Sequence, residues 1–172
     1  ADCGGVVNYN YYSGEPITGF DQGRPLLVRT PDSTFTLANF MRAQLYSTMA
    51  TLKIGMDILE REHVSIQRLL GHGGLFKTKV VGQRLMAGAL GIPVAVMESA
   101  GEGGPWGMAL LAAYGAQNRG RDTLEQFLEQ VFANNSGTTL LPDASDRQGF
   151  SVFMERYTKG LAVERAAIEA ID

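Results

Sequence analysis

Two glycine clusters are the residues of this chain whose type and spacing point to ligand chemistry: Gly73 and Gly74 in "LLGHGGLFKT", and Gly101, Gly103, Gly104 and Gly107 in "ESAGEGGPWG". Each follows a short apolar run that reads as a strand, and each leads into a helix. In an open α/β sheet, ligands lie beyond the carboxyl ends of the strands, where loops leave for helices. Glycine there takes positive φ and brings backbone N–H groups close to a ligand, while the following helix start favours anionic groups. A nucleotide cradle is one reading. The other is that the glycines turn the chain and let a small-residue helix pack closely. "GGLFKT" lacks the G-x-x-x-x-G-K-[ST] spacing, and "GEGGPWG" is one residue too long for the dinucleotide pattern, so a P-loop or Rossmann site is disfavoured.

Other candidates are weaker. Glu60 and His63 form E-x-x-H, but bundle di-iron sites need that motif twice together with further glutamates, and a helix-end cap or salt bridge explains one copy. Asp57, His63 and Ser65 lack a nucleophile-elbow context. His72 beside the glycine pair reads as a hydrogen-bonded loop histidine, although His72 with Lys77 also permits an unrelated small α/β enzyme. Asn134-Asn135-Ser136 is a glycosylation sequon, meaningful only in a secreted chain. Trp106 is expected to anchor packing and not to stack on a base.

The elements that position these residues follow from periodicity and breakers. Residues 1–34 are rich in Gly and Pro, which forbids a long helix and suits short extended pieces such as "VVNYNYY" and "PLLVRT". Leu37, Met41, Leu45, Met49, Leu52, Met56 and Leu59 recur every three or four residues, predicting a helix from Thr36 to about Glu62 with the methionines Met41, Met49 and Met56 in the core. "SIQRLLG" and "IPVAVM" read as strands, "VVGQRLMAGAL" as a helix ended by Gly91, and "WGMALLAAYGA" as a helix buried on most sides. That alternation predicts neighbouring parallel strands. Asp122 with Glu125 resembles a capping box before a helix carrying Leu124, Phe127, Leu128, Val131 and Phe132. "NNSGTTLLPDASD" reads as a loop, and Asp146 as the cap of a last helix that buries Phe150, Phe153, Met154, Tyr157 and Leu161.

At 172 residues, with 45% hydrophobic and 19% charged residues, the composition is that of a folded globular chain. A net charge of −3 with dispersed signs argues against nucleic acid or an acidic membrane surface as partner. Cys3 is the single cysteine, the start lacks a signal-peptide layout, and no apolar run reaches membrane-spanning length, so the expected compartment is the cytoplasm. The chain begins at Ala1 and enters a Gly/Tyr/Asn-rich segment at once, which suggests a piece of something longer.

The run "GHGGLFKTKVVGQRLMAGALGIPVAVMESAGEGGPWGMALLAAYGA" resembles the C-terminal adenosine-binding region of the FGGY family of carbohydrate kinases. That region has a glycine pair after a strand, a Gln-bearing helix, G-x-P-V, and an acidic, Gly-rich turn into a G-x-A-x-L-A helix. The upstream stretch from "CGGVVNYNYYSGEP" to "KIGMDIL" is similar to the xylulokinase-like branch. The resemblance covers nearly all of residues 3–116 and is loose from about residue 119. It implies an α/β, actin-like (ribonuclease H-like) ATPase fold, here the C-terminal domain, incomplete at its N-terminal side. Along the chain this gives an extended entry segment over 1–34, a nucleotide-binding core over 35–118 and a C-terminal helical region over 119–172.

By the same resemblance, Gly73 and Gly74 lie against the ribose and α-phosphate of ATP, Leu75 contributes backbone, and Thr78 takes a place where some relatives have a polar side chain facing adenosine. Gln83 matches the family motif and reads first as support between helix and loop. Gly103, Gly104 and Gly107 shape the turn beside the adenine, and Lys77 and Lys79 are candidates to meet phosphate, against the plainer reading as solvated surface residues. The family's catalytic aspartate, which takes the proton from the sugar hydroxyl while Mg²⁺ steadies the phosphoryl group, has no counterpart here; Asp2 stands in the wrong place. The expectation is therefore the ATP side of a kinase acting on xylulose or a related pentulose, inactive alone. Its partners would be ATP, the sugar, the rest of the kinase or a second copy. The alternative is a non-catalytic nucleotide-binding or scaffold module of the same fold.

Overall fold

A computed structural model describes residues 1–78, 80–117, 122–133 and 136–171. The chain folds into two compact units, one drawn from Ala1–Ile66, Leu85–Ile92 and Pro142–Asp172, the other from Gln67–Arg84 and Pro93–Leu141. Each is assembled from separated segments, so compactness does not follow the linear division of the sequence.

In the first unit, β1 (Val6–Tyr9) and β2 (Leu26–Arg29) pair antiparallel, with Val7 opposite Val28. The long helix α1 (Leu37–Arg61) starts at Thr36, whose hydroxyl accepts the Asn39 N–H at 3.2 Å. It ends in a Schellman turn: His63 N–H donates to the Glu60 carbonyl and Val64 N–H to that of Leu59, with His63 at φ +60. Glu60 and His63 thus cap a helix. The buried face of α1 is Ala43, Tyr46, Ser47, Met49 and Ala50, which shares only Met49 with the predicted stripe. Leu37, Met41, Leu52 and Leu59 are exposed and Met56 is half-buried, so of the three methionines only Met49 is core. The small residues Ala43, Ser47 and Ala50 let the helix backbone approach, and the Ser47 hydroxyl donates to the carbonyl of Asn8 on β1.

The last helix, α5 (Ala144–Ala170), is capped by Asp143, which accepts the N–H groups of Ser145 and Asp146. The predicted cap, Asp146, falls in the first turn, because Asp143 is the residue with extended backbone. Phe150, Phe153 and Tyr157 are buried at helical spacing, whereas Met154 and Leu161 are half-buried. Tyr9 and Tyr157 stack with centroids 4.8 Å apart, and Tyr46 meets Phe150 edge-on at 5.0 Å.

In the second unit, β3 (Leu69–Gly71) and β4 (Val94–Met97) are parallel, joined through a 3-10 turn at Gly74–Phe76 and helix α2 (Val81–Leu90), of which residues 81–84 belong to this unit. The other edge of β4 pairs antiparallel with β5 (Gly137–Leu140), giving the order β3-β4-β5. The segment read as a loop therefore contains a strand. Two threonines and a leucine suit a pleated edge, and pairing with β4 satisfies backbone groups that would otherwise lie open. Helix α3 (Gly103–Gln117) follows a 3-10 turn at Glu98–Glu102. Contrary to expectation it is mostly exposed: Leu110 is buried, while Met108 and Leu111 are open. An apolar sequence with no polar side gives no sign of which side is covered. Helix α4 (Leu124–Phe132) has its capping box at Thr123 and Gln126, one residue beyond the predicted pair, since Thr123 has the extended backbone of a cap. No residue of α4 is fully buried; Phe127, Leu128, Val131 and Phe132 are half-buried.

Candidate functional site

Both glycine clusters singled out in the sequence belong to the second unit, and the fold brings them together. The Gly73 N–H donates to the Ala100 carbonyl at 2.8 Å, joining the turn after β3 to the turn after β4. Lys77 crosses the same gap: a Cβ added at Gly101 would lie 3.2 Å from its Cγ, and its Nζ stands 2.7 Å from Glu102 Oε1. The imidazole of His72 lies against Gly103, where an added Cβ would be 3.0 Å from Nδ1. His72 and Lys77 are thus packed across the turns as bracing and are not gathered around a reacting centre.

This separates the glycines into two groups. At Gly71, Gly82, Gly101 and Gly103 a side chain would strike a neighbour; Gly71 makes room for the Phe76 ring, at 2.4 Å from an added Cβ. At Gly73, Gly74, Gly104 and Gly107 nothing lies within 4 Å. Gly73 has φ 98 and ψ −173, a conformation that belongs to glycine almost alone. The first group is therefore glycine because a neighbour needs the room, and the second stands beside open space.

The Gly73 N–H is spent on Ala100. Gly74 and Leu75 open the 3-10 turn, where N–H groups have no partner within the turn. The Leu75 carbonyl oxygen packs against Gly82, 2.5 Å from an added Cβ there. Thr78 is exposed in the bend before α2. Gly103, Gly104 and Gly107 are in the first turns of α3, and the turn itself is formed by Glu98–Glu102. Trp106 sits on the same stretch and is 41% exposed, so it is not the packing anchor expected of it. Lys79 and the sequon residues Asn134 and Asn135 lie outside the described residues.

Gln83, half foreseen as support, braces more than a loop. It is buried, and its Nε2 donates to the carbonyls of Val94 and Thr138 at 2.7 Å each, while its Oε1 accepts the Thr138 hydroxyl at 3.2 Å. One amide thereby holds the first turn of α2 to both β4 and β5. The contacts the sequence concealed, Ala100 with Gly73 and Glu102 with Lys77, join residues more than 20 positions apart and leave no local signal.

Acids near the turns are engaged: Glu102 with Lys77, and Glu98 with the Ser136 hydroxyl at 2.6 Å. No three His, Cys, Asp or Glu side chains gather to hold a metal ion among the described residues. In the first unit, Asp2 is paired with Arg156 at 2.6 Å, which holds its carboxyl below the usual carboxylate range. Cys3 is fully buried, and burial pushes its thiol up to about 12, which makes it inert at neutral pH. A groove of about 1320 Å³ in that unit, between α1, residues 88–92 and α5, is lined by both signs of charge, including the Lys53–Asp57 pair. No helix among the described residues is long and apolar enough to cross a membrane.

Residues 1–116 match the model of the FGGY family of carbohydrate kinases, C-terminal domain. A search of curated proteins finds no match. Among solved structures, the chain is similar to ligand-bound xylulose kinase from Lactobacillus acidophilus, with a TM-score of 0.70 and 15% identity over 99% of this chain and 33% of that one. It is similar to Plasmodium falciparum glycerol kinase with ADP, at 0.67 and 16% over 95% and 31%. Xylulose kinase from Rhodospirillum rubrum gives 0.65 and 18% over 98% and 32%. The chain spans about a third of the length of these proteins. At such identities the likeness establishes the fold, the α/β, actin-like ATPase type, and it extends through α4, β5 and α5, beyond the residues that the family model matches.

Proposed function

From the premise that this chain belongs to the FGGY family of carbohydrate kinases through its C-terminal domain, we propose that it forms the adenosine side of the ATP site of a sugar kinase. The observation that carries this reading is the open ground over Gly73, Gly74, Gly104 and Gly107, at the carboxyl ends of two parallel strands and between two turns that are braced to each other. A nucleoside fits such ground because no Cβ stands in the way and the N–H groups of Gly74 and Leu75 are available to ribose or α-phosphate oxygens. Thr78 adds a hydroxyl at the edge, and Gly103, Gly104 and Gly107 give the adenine a flat approach along the start of α3. A relative of the same fold is known with ADP, which supports the same ligand class.

The parent reaction in this reading is transfer of the γ-phosphoryl group of MgATP to a sugar hydroxyl, with xylulose or a related pentulose as acceptor, in the cytoplasm. When bound, magnesium would neutralise charge on the phosphates; in this reading it is held by them and by the rest of the kinase. The base is assigned to the rest of the kinase as well, because the sequence carries no counterpart of the family's aspartate in a Gly-rich segment. The same observation favours a second reading, a nucleotide-binding module without turnover of its own.

Calorimetric titration of the purified protein with ADP and ATP tests the site. Both nucleotides should bind, and Gly74→Val, at a position where an added Cβ meets nothing within 4 Å, should weaken them by about tenfold or more, or about 1.4 kcal/mol. Absence of binding would overturn the proposal, and phosphorylation of a pentulose by this chain alone would overturn the placement of the base.

A further inference from the structure

We propose that Lys77 and Glu102 are positioning residues that form a salt-sensitive strap, setting the spacing of the two glycine turns that receive the nucleotide. The inference rests on the nucleotide-site reading above and assigns Lys77 a role other than contact with phosphate. Three links join the turns. The Gly73–Ala100 hydrogen bond and the packing of His72 on Gly103 are close to the backbone and fix the turns where they meet. The third is the Lys77–Glu102 pair, made by exposed side chains at 2.7 Å. Its geometry commits the lysine: the stem runs over Gly101, with Cγ 3.2 Å and Cε 3.5 Å from an added Cβ, and the ammonium ends on the carboxylate. Gly101 therefore serves as the bed for this stem, which explains a glycine that the ligand reading leaves unused.

Glu102 immediately precedes α3, and Gly104 and Gly107 open that helix; Lys77 follows the Gly74–Phe76 turn. The pair thus ties the element carrying one open glycine to the element carrying the others. An exposed ion pair of this kind contributes roughly 0.2–1 kcal/mol and is screened by salt. That is too little to determine folding but enough to bias the spacing of two turns.

The test uses ADP and adenosine titrated into wild type, Lys77→Met, Glu102→Gln and the charge-swapped double variant Lys77→Glu/Glu102→Lys, at low and high salt. The strap requires that each single variant weaken both ligands alike, by up to about fivefold. The swapped pair should restore most of the affinity, and the effect should fade at about 1 M salt, where charges are screened within about 3 Å. Two results overturn it: Lys77→Met weakening ADP but not adenosine while Glu102→Gln strengthens ADP, the signature of a phosphate-binding lysine, or a swapped pair no better than the singles. Failure of wild type to bind either ligand would instead remove the site reading on which the strap depends.

Discussion

The first unit is held by a continuous run of aromatic contacts, from Phe20 through Tyr11, Tyr9 and Tyr157 to Phe153, Tyr46 and Phe150. The second buries mainly smaller residues, Val94, Ala95 and Ala100, with Leu110 and, among the described residues, the single ring of Phe76, and leaves Trp106, Met108 and Leu111 exposed on α3. Large interlocked rings secure a core because each buries much area and has few ways to repack. Small residues and glycines allow backbones to approach and leave surface open to a ligand or a partner. The contrast places resistance to unfolding in one unit and open surface in the other. The sharpest way to break it is to remove one ring from each. Phe153→Ala, at a fully buried position, should cost about 3–5 kcal/mol, whereas Trp106→Ala should cost about 1 kcal/mol or less. Urea denaturation followed by circular dichroism measures both, and equal losses would dissolve the distinction.

How far the sequence could foresee this differs by scale. The helices, the parallel order of β3 and β4 and the position of the glycine pair after a strand were legible because periodicity, breakers and strand length are local properties. The side of α1 that is buried was not, because Leu37, Met41 and Leu52 repeat as regularly as Ala43, Ser47 and Ala50; what selects the small-residue side is β1, which lies far away in the chain. β5 was hidden for the same reason: Thr138–Leu140 is too short to signal a strand without β4 beside it. In the candidate site the glycines were visible, but the division into braced and open positions depends on His72 and Lys77 reaching across from another turn.

The first unit also contains a buried carboxyl, which sharpens the contrast in a pH-dependent way. Glu164 is fully buried; its Oε1 accepts the Arg24 N–H at 2.6 Å, and its Oε2 has no hydrogen-bond partner among the described residues. Burial raises its pKa above the ordinary 4.5, against the smaller opposing effects of the Arg24 N–H and charge. Because the folded state holds this proton more tightly than the unfolded chain, the group's contribution is fully present below the unfolded pKa. It is lost as pH rises through the folded value. Glu164→Ala should cost about 1–3 kcal/mol by orphaning the Arg24 amide. Glu164→Gln keeps that acceptor and cannot ionise, so its stability relative to wild type should increase from pH 4 to pH 7. Thermal melts across that range test this, and a constant difference between the two proteins would show that Glu164 does not titrate on unfolding.

The smallest expected effect concerns the second unit alone and has opposite signs in two measurements. Gly104 lies in the first turns of α3, where an added Cβ meets nothing within 4 Å. Alanine reduces the freedom of the unfolded chain and suits a helix, so Gly104→Ala should stabilise by about 0.5–1 kcal/mol. The neighbouring Gly103→Ala should gain less, since its methyl group would press on His72 at 3.0 Å. If the open ground over Gly104 receives the adenine, the methyl group that stabilises the helix also occupies the ligand's approach, and ADP affinity should fall as the melting temperature rises. A residue that only turns the chain would give higher stability with unchanged affinity, so melting and titration of this one variant decide between the two uses of glycine.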